Sequence, residues 1–219
     1  MVTRIKICGI TNREDARAAI QMGADALGFI FVPGTPRCVA HRSDLSDLLE
    51  FLDSVPPFIA RVGVCREPGE IPAEALTRLD FLQTYDHSCL TESTAGPAQI
   101  PAFRLKSETD VTAIGAVLSV YRSRAILLDA YHETQLGGGG VKFDWGLAEL
   151  AKRLYGVPVI LAGGLNEANV AQAILEAAPY AVDVASGVEI EAYPGRKDLV
   201  RMRHFIDAVR SASSSLNSP

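Results

Sequence analysis

The chain has 219 residues, enough for one domain with a sizeable core, and 48% hydrophobic with 21% charged residues excludes a disordered polypeptide. Its net charge of −5, with no clustering of Lys and Arg, excludes the basic footprint that a nucleic-acid partner requires. An anionic small molecule stays open as a partner, because a few local donors decide that and not the global sum.

The first strand reads from the N-terminus to Cys8. Thr11 followed by Glu14 reads as a capping box that opens a helix through Met22 and stops at Gly23. The second strand ends near Phe31. Leu45, Leu48, Leu49 and Leu52 then give the i, i+3, i+4, i+7 stripe of a second helix. The third and fourth strands end near Val64 and Thr84. Residues 88–101 carry Gly96, Pro97 and Pro101 and little helical periodicity, so the fourth helix is expected to be degenerate or replaced by a loop. Strand ends recur near Lys106, Asp129, Ala162 and Ser186. Asn166 is expected to cap a helix carrying Val170, Ile174 and Ala177, and Leu199, Met202, Ile206 and Val209 form the closing helix. Residues 211–219 read as a frayed tail.

Successive strand ends lie 20 to 33 residues apart, the length of a strand plus a crossover helix. Eight such units predict a single α/β domain over residues 1–210, a (β/α)₈ TIM barrel. A doubly wound open sheet uses the same units but seldom eight of them. No apolar run approaches the roughly 18 residues of a membrane span, and the start, Met1 to Lys6, has no signal-peptide core. Cys8, Cys38, Cys65 and Cys89 lie far apart, without CxxC or His spacing for a metal. Free thiols in a reducing cytoplasm are the expectation.

In a barrel of this kind the active site gathers at the C-terminal strand ends. Gly163-Gly164 after the seventh strand and Ser186-Gly187 after the eighth put backbone N–H groups where phosphate binds in such barrels. Either pair alone could simply make a tight turn; two on adjacent loops favour the phosphate. Asp129 closes an apolar run, where partial desolvation suits a carboxyl to proton transfer, although a helix cap or a rim ion pair would look the same. Cys8 is either a buried small hydrophobe or, if nearby donors lower its pKa, a thiolate base. Arg37 offers a fork for a carboxylate, or is an ordinary surface arginine. Lys6 alternates with core positions and is placed to point into the barrel. Gly137-Gly138-Gly139-Gly140 above the sixth strand reads as a lid or a loose connection.

These pieces stand in the order and spacing of the phosphoribosylanthranilate isomerase family, which the chain resembles from first strand to last helix. Lys6-Ile7-Cys8-Gly9-Ile10-Thr11 is similar to its opening motif, and residues 23–31 with Thr35-Pro36-Arg37 to its second unit. Asp129, residues 137–145 and Ala162-Gly163-Gly164-Leu165-Asn166 follow in order. Residues 182–189 and Pro194-Gly195-Arg196-Lys197-Asp198 complete the set. The resemblance implies a cytoplasmic isomerase of tryptophan biosynthesis, a monomer or homodimer, acting on N-(5-phosphoribosyl)anthranilate by an Amadori rearrangement. It implies Asp129 as the acid that opens the sugar ring and Cys8 as the base at C2. It implies Arg37 on the anthranilate carboxylate, Asp183 near the ribose, and Gly163, Gly164, Ser186 and Gly187 on the phosphate. No metal or redox cofactor is required, because the substrate's own imine takes up the electrons.

Three positions depart from the family pattern. Gln83-Thr84-Tyr85-Asp86 stands where Gln-Leu-His-Gly is usual, with His87 two places late; Gly139 replaces Ser or Thr; Cys38 replaces an aromatic. Tyr85 is the expected occupant of the missing histidine's place, since His87 would sit roughly 6–7 Å further along. The alternatives are another phosphosugar isomerase or epimerase, for instance one acting on a histidine-pathway aminoaldose, in which an Asp–Asp pair at the ends of the first and sixth strands is typical, and a non-catalytic ligand-binding barrel, which would have no use for Cys8 and Asp129.

Overall fold

Strict alternation along eight short strands decides which side chains enter the barrel and which meet the helices. The computed structural model describes residues 2–40, 45–91, 96–130 and 144–216. Its strands are β1 (Arg4–Ile7), β2 (Ala26–Ile30), β3 (Ala60–Cys65), β4 (Phe81–Thr84), β5 (Ala98–Leu105), β6 (Ile126–Ala130), β7 (Val159–Leu161) and β8 (Ala181–Val184). Each pairs in parallel with the next, and β8 closes on β1 with Lys6 beside Asp183. The expected strand ends fall within two residues of these.

The helices are α1 (Arg13–Met22), α2 (Leu45–Asp53), the single turn α3 (Ala73–Leu76), α4 (Glu108–Leu118), α5 (Gly146–Tyr155), α6 (Val170–Ala177) and α7 (Leu199–Leu216). Outward strand residues such as Ile5, Ile7, Phe29, Leu128, Val159 and Val182 pack under them in the main core. The interior holds a smaller apolar layer of Ile100, Ala102, Leu127, Ile160 and Ala181, with Phe81 and Tyr85 against it. Above that layer the inward positions turn polar: Lys6, Gln83 and Asp183 are all buried. A barrel whose interior changes from aliphatic to charged toward the C-terminal strand ends directs its chemistry to that end.

Three local expectations change, at the cap of α1, at Asn166 and in the C-terminal tail, while the expected loss of the fourth helix holds among the described residues. The cap of α1 is Asn12, whose side chain accepts from the Asp15 N–H, not Thr11; Thr11 instead donates to the Gly195 carbonyl. Between β4 and β5 the described residues form one 3₁₀ turn, His87–Cys89, and no α-helix. The Asn166 carbonyl accepts from the Val170 N–H, so a turn at 166–169 separates the glycine pair from α6.

The third concerns the tail. α7 continues through Leu216, so residues 211–216 are helical and not frayed. Ala212 and Ser213 are buried, and the Ser213 hydroxyl accepts from the Thr3 N–H at 3.2 Å. Arg210 donates to the Gly23 carbonyl and to Asp25. Anchored this way, the end of the last helix is fixed to the residues that precede β1 and β2, opposite the mouth. The glycine run at 137–140 lies outside the described residues.

Candidate functional site

Cys8 follows β1 directly, its N–H donating to the Val184 carbonyl of β8. Gly28 on β2 makes room beside it: a Cβ there would lie 2.7 Å from Cys8 Sγ and 3.0 Å from Lys6 Cε. Burial, reinforced by the charge of Asp183, pushes the thiol above its ordinary value, with Lys6 and Lys197 pulling the other way. Lys6 does point into the barrel, donating to Asp183 Oδ1 at 2.9 Å and Gln83 Oε1 at 3.0 Å. Burial opposes its charge, but Asp183 and Cys8 outweigh that and raise its pKa. Asp183, expected near the ribose, is thus tied to a buried ion pair.

Arg37 is neither exposed nor open as a fork. Its Nε and Nη2 are 2.8 and 2.6 Å from Glu189 Oε1 and Oε2 respectively, which leaves Nη1 outside the pair. Glu189 also accepts from Lys197 at 3.0 Å. Lys197 is fully buried at its side chain and completes its three donors on the carbonyls of Cys8 (2.6 Å) and Ala185 (3.0 Å). One ammonium therefore ties the end of β1, the end of β8 and, through Glu189, the Arg37 loop. Burial lowers its pKa, Glu189 partly offsetting that. For Glu189 the balance is opposite: burial favours the neutral acid, but Arg37 and Lys197 together hold it ionised. This network escaped sequence reasoning; its signals were Glu189 and Lys197, each inside a family motif and neither with a role of its own.

Across the mouth, Asp129 on β6 is half-buried and accepts from the Tyr85 hydroxyl at 3.0 Å. Burial, then the Asp129 charge, keep the phenol well above its ordinary pKa, so Tyr85 is a neutral donor. Tyr85 also feels Asp183 and Cys8, which places it between the two sides. His87 turns away: its Nε2 lies 3.0 Å from the Ala102 carbonyl, and its ring packs on Phe103 at 4.4 Å. Tyr85 therefore takes the inward place, as its register requires. Arg104, beside Asp129 in the β5–β6 register, lies over the Tyr85 ring at 4.8 Å. A cavity of about 320 Å³ lined by Tyr85, His87, Arg104 and Asp110 flanks this side and is not centred on Cys8.

Gly163 and Gly164 both adopt positive φ, 87° and 66°, and neither donates its N–H to an acceptor among the described residues. Gly187, in the 3₁₀ turn Ser186–Val188, lies so close to the preceding loop that a Cβ would sit 2.0 Å from the Leu165 carbonyl oxygen. The loops after β7 and β8 thus form one backbone surface with unengaged N–H groups, and the Ser186 hydroxyl stands exposed beside it. Chemically this is a cradle for an anion. Around one mouth stand a thiol, a carboxyl, an arginine and that cradle.

Residues 5–208 match the family model described as PRAI, N-(5'phosphoribosyl)anthranilate (PRA) isomerase. Curated relatives named N-(5'-phosphoribosyl)anthranilate isomerase include that of Geotalea uraniireducens, 43% identical over 94% of this chain and 97% of its own length. That of Pseudomonas aeruginosa is 42% identical over 95% of each. Among solved structures, phosphoribosyl anthranilate isomerase from Thermotoga maritima superposes with a TM-score of 0.76 at 34% identity, covering 96% of this chain and all of that one. A structure of the same enzyme type in complex with reduced 1-(o-carboxyphenylamino)-1-deoxyribulose 5-phosphate gives 0.73 at 33% identity, with the same coverage.

Proposed function

Because the chain belongs to the N-(5'-phosphoribosyl)anthranilate isomerase family, we propose that it performs the Amadori rearrangement of N-(5-phosphoribosyl)anthranilate at its own barrel mouth. The product is 1-(2-carboxyphenylamino)-1-deoxyribulose 5-phosphate, an intermediate of tryptophan biosynthesis. The observation that carries the site assignment is the inward thiol of Cys8 standing opposite the inward carboxyl of Asp129, with the anion cradle of Gly163, Gly164, Ser186 and Gly187 beside them.

The phosphate docks on that cradle and fixes the sugar between the two groups. Asp129, as the carboxylic acid, gives its proton to the furanose ring oxygen. The C1–O bond breaks and the nitrogen lone pair forms a cationic imine. Cys8, as thiolate, takes the C2 proton. The C–H electron pair becomes the C1=C2 bond, and the imine nitrogen is neutralised. The resulting enolamine tautomerises, C1 gaining a proton and C2 becoming the ketone. General acid and base of this kind typically contribute ~10²–10⁴-fold each.

Arg37 serves the anthranilate carboxylate through Nη1 and its charge, its Nε edge staying on Glu189. That is a single hydrogen bond in place of the expected bidentate clasp. Tyr85 aims the Asp129 carboxyl through its hydroxyl. Mixing the purified chain with phosphoribosylanthranilate and following the loss of anthranilate-type fluorescence tests the whole reading. Fluorescence that persists, while a family enzyme of known activity consumes the same substrate preparation, would falsify it.

A further inference from the structure

The buried ammonium of Lys6 has no part in the steps above, yet it stands next to the sulfur that acts in them. Its Nζ has three donors. Two go to Gln83 and Asp183. Its Cε and Cys8 Sγ both border the space over Gly28, within 3.0 and 2.7 Å of one point, so the head of Lys6 belongs to the innermost layer around the sulfur.

Several charged or titratable groups face Cys8 from the elements packed around it. They are Lys6 on its own strand, Asp183 on β8, Lys197 on its carbonyl oxygen, Arg37 and Glu189 behind that, and Tyr85 from the end of β4. On this side of the mouth, among the described residues, three cations (Lys6, Lys197, Arg37) meet two carboxylates (Asp183, Glu189). The buried cluster becomes neutral when the thiol ionises.

We propose that Lys6 is a positioning residue for proton abstraction, its ammonium stabilising the thiolate form of Cys8 against burial and holding the sulfur in place against C2 of the substrate. The proposal rests on the reading of Cys8 as the base. As the C2–H bond breaks and the S–H bond forms, the ammonium keeps its pair with Asp183, so no second proton moves. Burial and Asp183 both favour the thiol, and Lys6 opposes them more strongly than Lys197 does. Without its charge the thiolate form becomes scarcer at neutral pH.

The test is kcat against pH for wild type, Lys6→Met, Lys6→Gln and Lys6→Arg, with thermal melts of each. Gln retains polar contact with Gln83 and Asp183 but carries no charge; Arg retains the charge. Losing an opposite charge at this range moves a pKa by about one to three units. The acid limb of kcat is therefore expected to move up by that much in the two neutral variants. At pH 7 that is a loss of roughly 10- to 1000-fold, narrowing as the pH rises, with KM little changed. Lys6→Arg should return the limb toward its wild-type position. A limb that stays in place, or a loss that does not narrow at pH values above the wild-type limb, overturns the proposal. So does a neutral variant that fails to fold while Lys6→Arg folds with no better activity, since that assigns Lys6 to stability alone. Cys8→Ala separates the two readings: if it still turns over, Cys8 is not the base; if it is dead and the limb has not moved, only the role of Lys6 fails.

Discussion

Cys8, on the β1–β8 side of the mouth, is buried among ions, whereas Asp129, on the β4–β6 side, is half-buried and held by a neutral phenol. The ionic side is built of groups that cannot be left alone: Lys6 with Asp183, and Lys197 with Glu189 and Arg37. An unpaired charge there would cost several kcal/mol, so its geometry is over-determined. On the other side Tyr85 is a neutral donor, and the half-buried carboxyl of Asp129 keeps access to solvent. The difference suits the proposed roles. A base that must ionise against burial needs fixed charges around it, and an acid that must regain a proton each turnover needs a path to water.

The largest expected effect removes the two reactive groups themselves. Cys8→Ala and Asp129→Asn should each lower kcat by about 10²–10⁴-fold while the melting temperature changes little. Near wild-type turnover in either one, by the fluorescence assay, would assign the proton transfer on that side to another group.

Next comes the stiffness of the ionic side. Lys197→Met leaves Glu189 short of one partner and two carbonyls without their donor. Urea unfolding should show a loss of about 3–5 kcal/mol, the usual cost of breaking a buried pair. On the phenol side, Arg104→Ala removes only an exposed cation over the Tyr85 ring, worth about 0.5–1 kcal/mol. Similar losses from the two variants would remove the contrast. Glu189 gives the same contrast a pH signature. Burial raises its pKa, but Arg37 and Lys197 reverse that, and its folded value lies below the ordinary 4.5. Its contribution is therefore present at neutral pH and fades as the pH falls below that value through the folded pKa.

The barrel itself was legible because each unit advertises its strand end: Cys8, Phe31 and Asp129 all sit one residue from an observed end. The reactive pair was legible for the same reason, strand ends being where barrels do chemistry. The Glu189–Arg37 pair was not, since its members are 152 residues apart and nothing local in either stretch names the other. Nor was the anchoring of α7, because Ser211, Ser213, Ser214 and Ser215 read as a polar tail until Ser213 meets Thr3. Asn12 and Thr11 are both good caps; only the Gly195 carbonyl, brought near by the closed barrel, decides between them.

Gly187→Ala tests the surface that joins the two sides. A methyl group 2.0 Å from the Leu165 carbonyl oxygen forces the loops after β7 and β8 apart, a displacement no rotamer can absorb. Charge-assisted contacts to a phosphate are each worth about 1.5–3 kcal/mol, so losing one should weaken inorganic phosphate, as a competitive inhibitor, by roughly 10-fold or more. KM for the substrate should rise in step, with kcat changed less. An unaltered inhibition constant would move the phosphate away from this cradle.

The smallest effect is expected at the fourth strand, where the chain departs from its family's pattern. Tyr85 follows β4 directly and His87 opens the 3₁₀ turn beyond it, and they make different contacts. The Tyr85 hydroxyl meets Asp129, while His87 is turned onto Phe103 and the Ala102 carbonyl. Tyr85→Phe deletes one hydrogen bond to the proposed acid and leaves the ring under Arg104 in place. A bond of that kind is worth about 0.5–1.5 kcal/mol, or roughly two- to twelvefold in rate. The loss should fall on kcat, because the bond aims the acid and does not hold the substrate. His87→Ala should leave both kcat and KM near wild type and lower the melting temperature by a few degrees through lost packing. If the two variants exchange these behaviours, the imidazole reaches the substrate after all, and the phenol side of the mouth is organised by His87 and not by Tyr85.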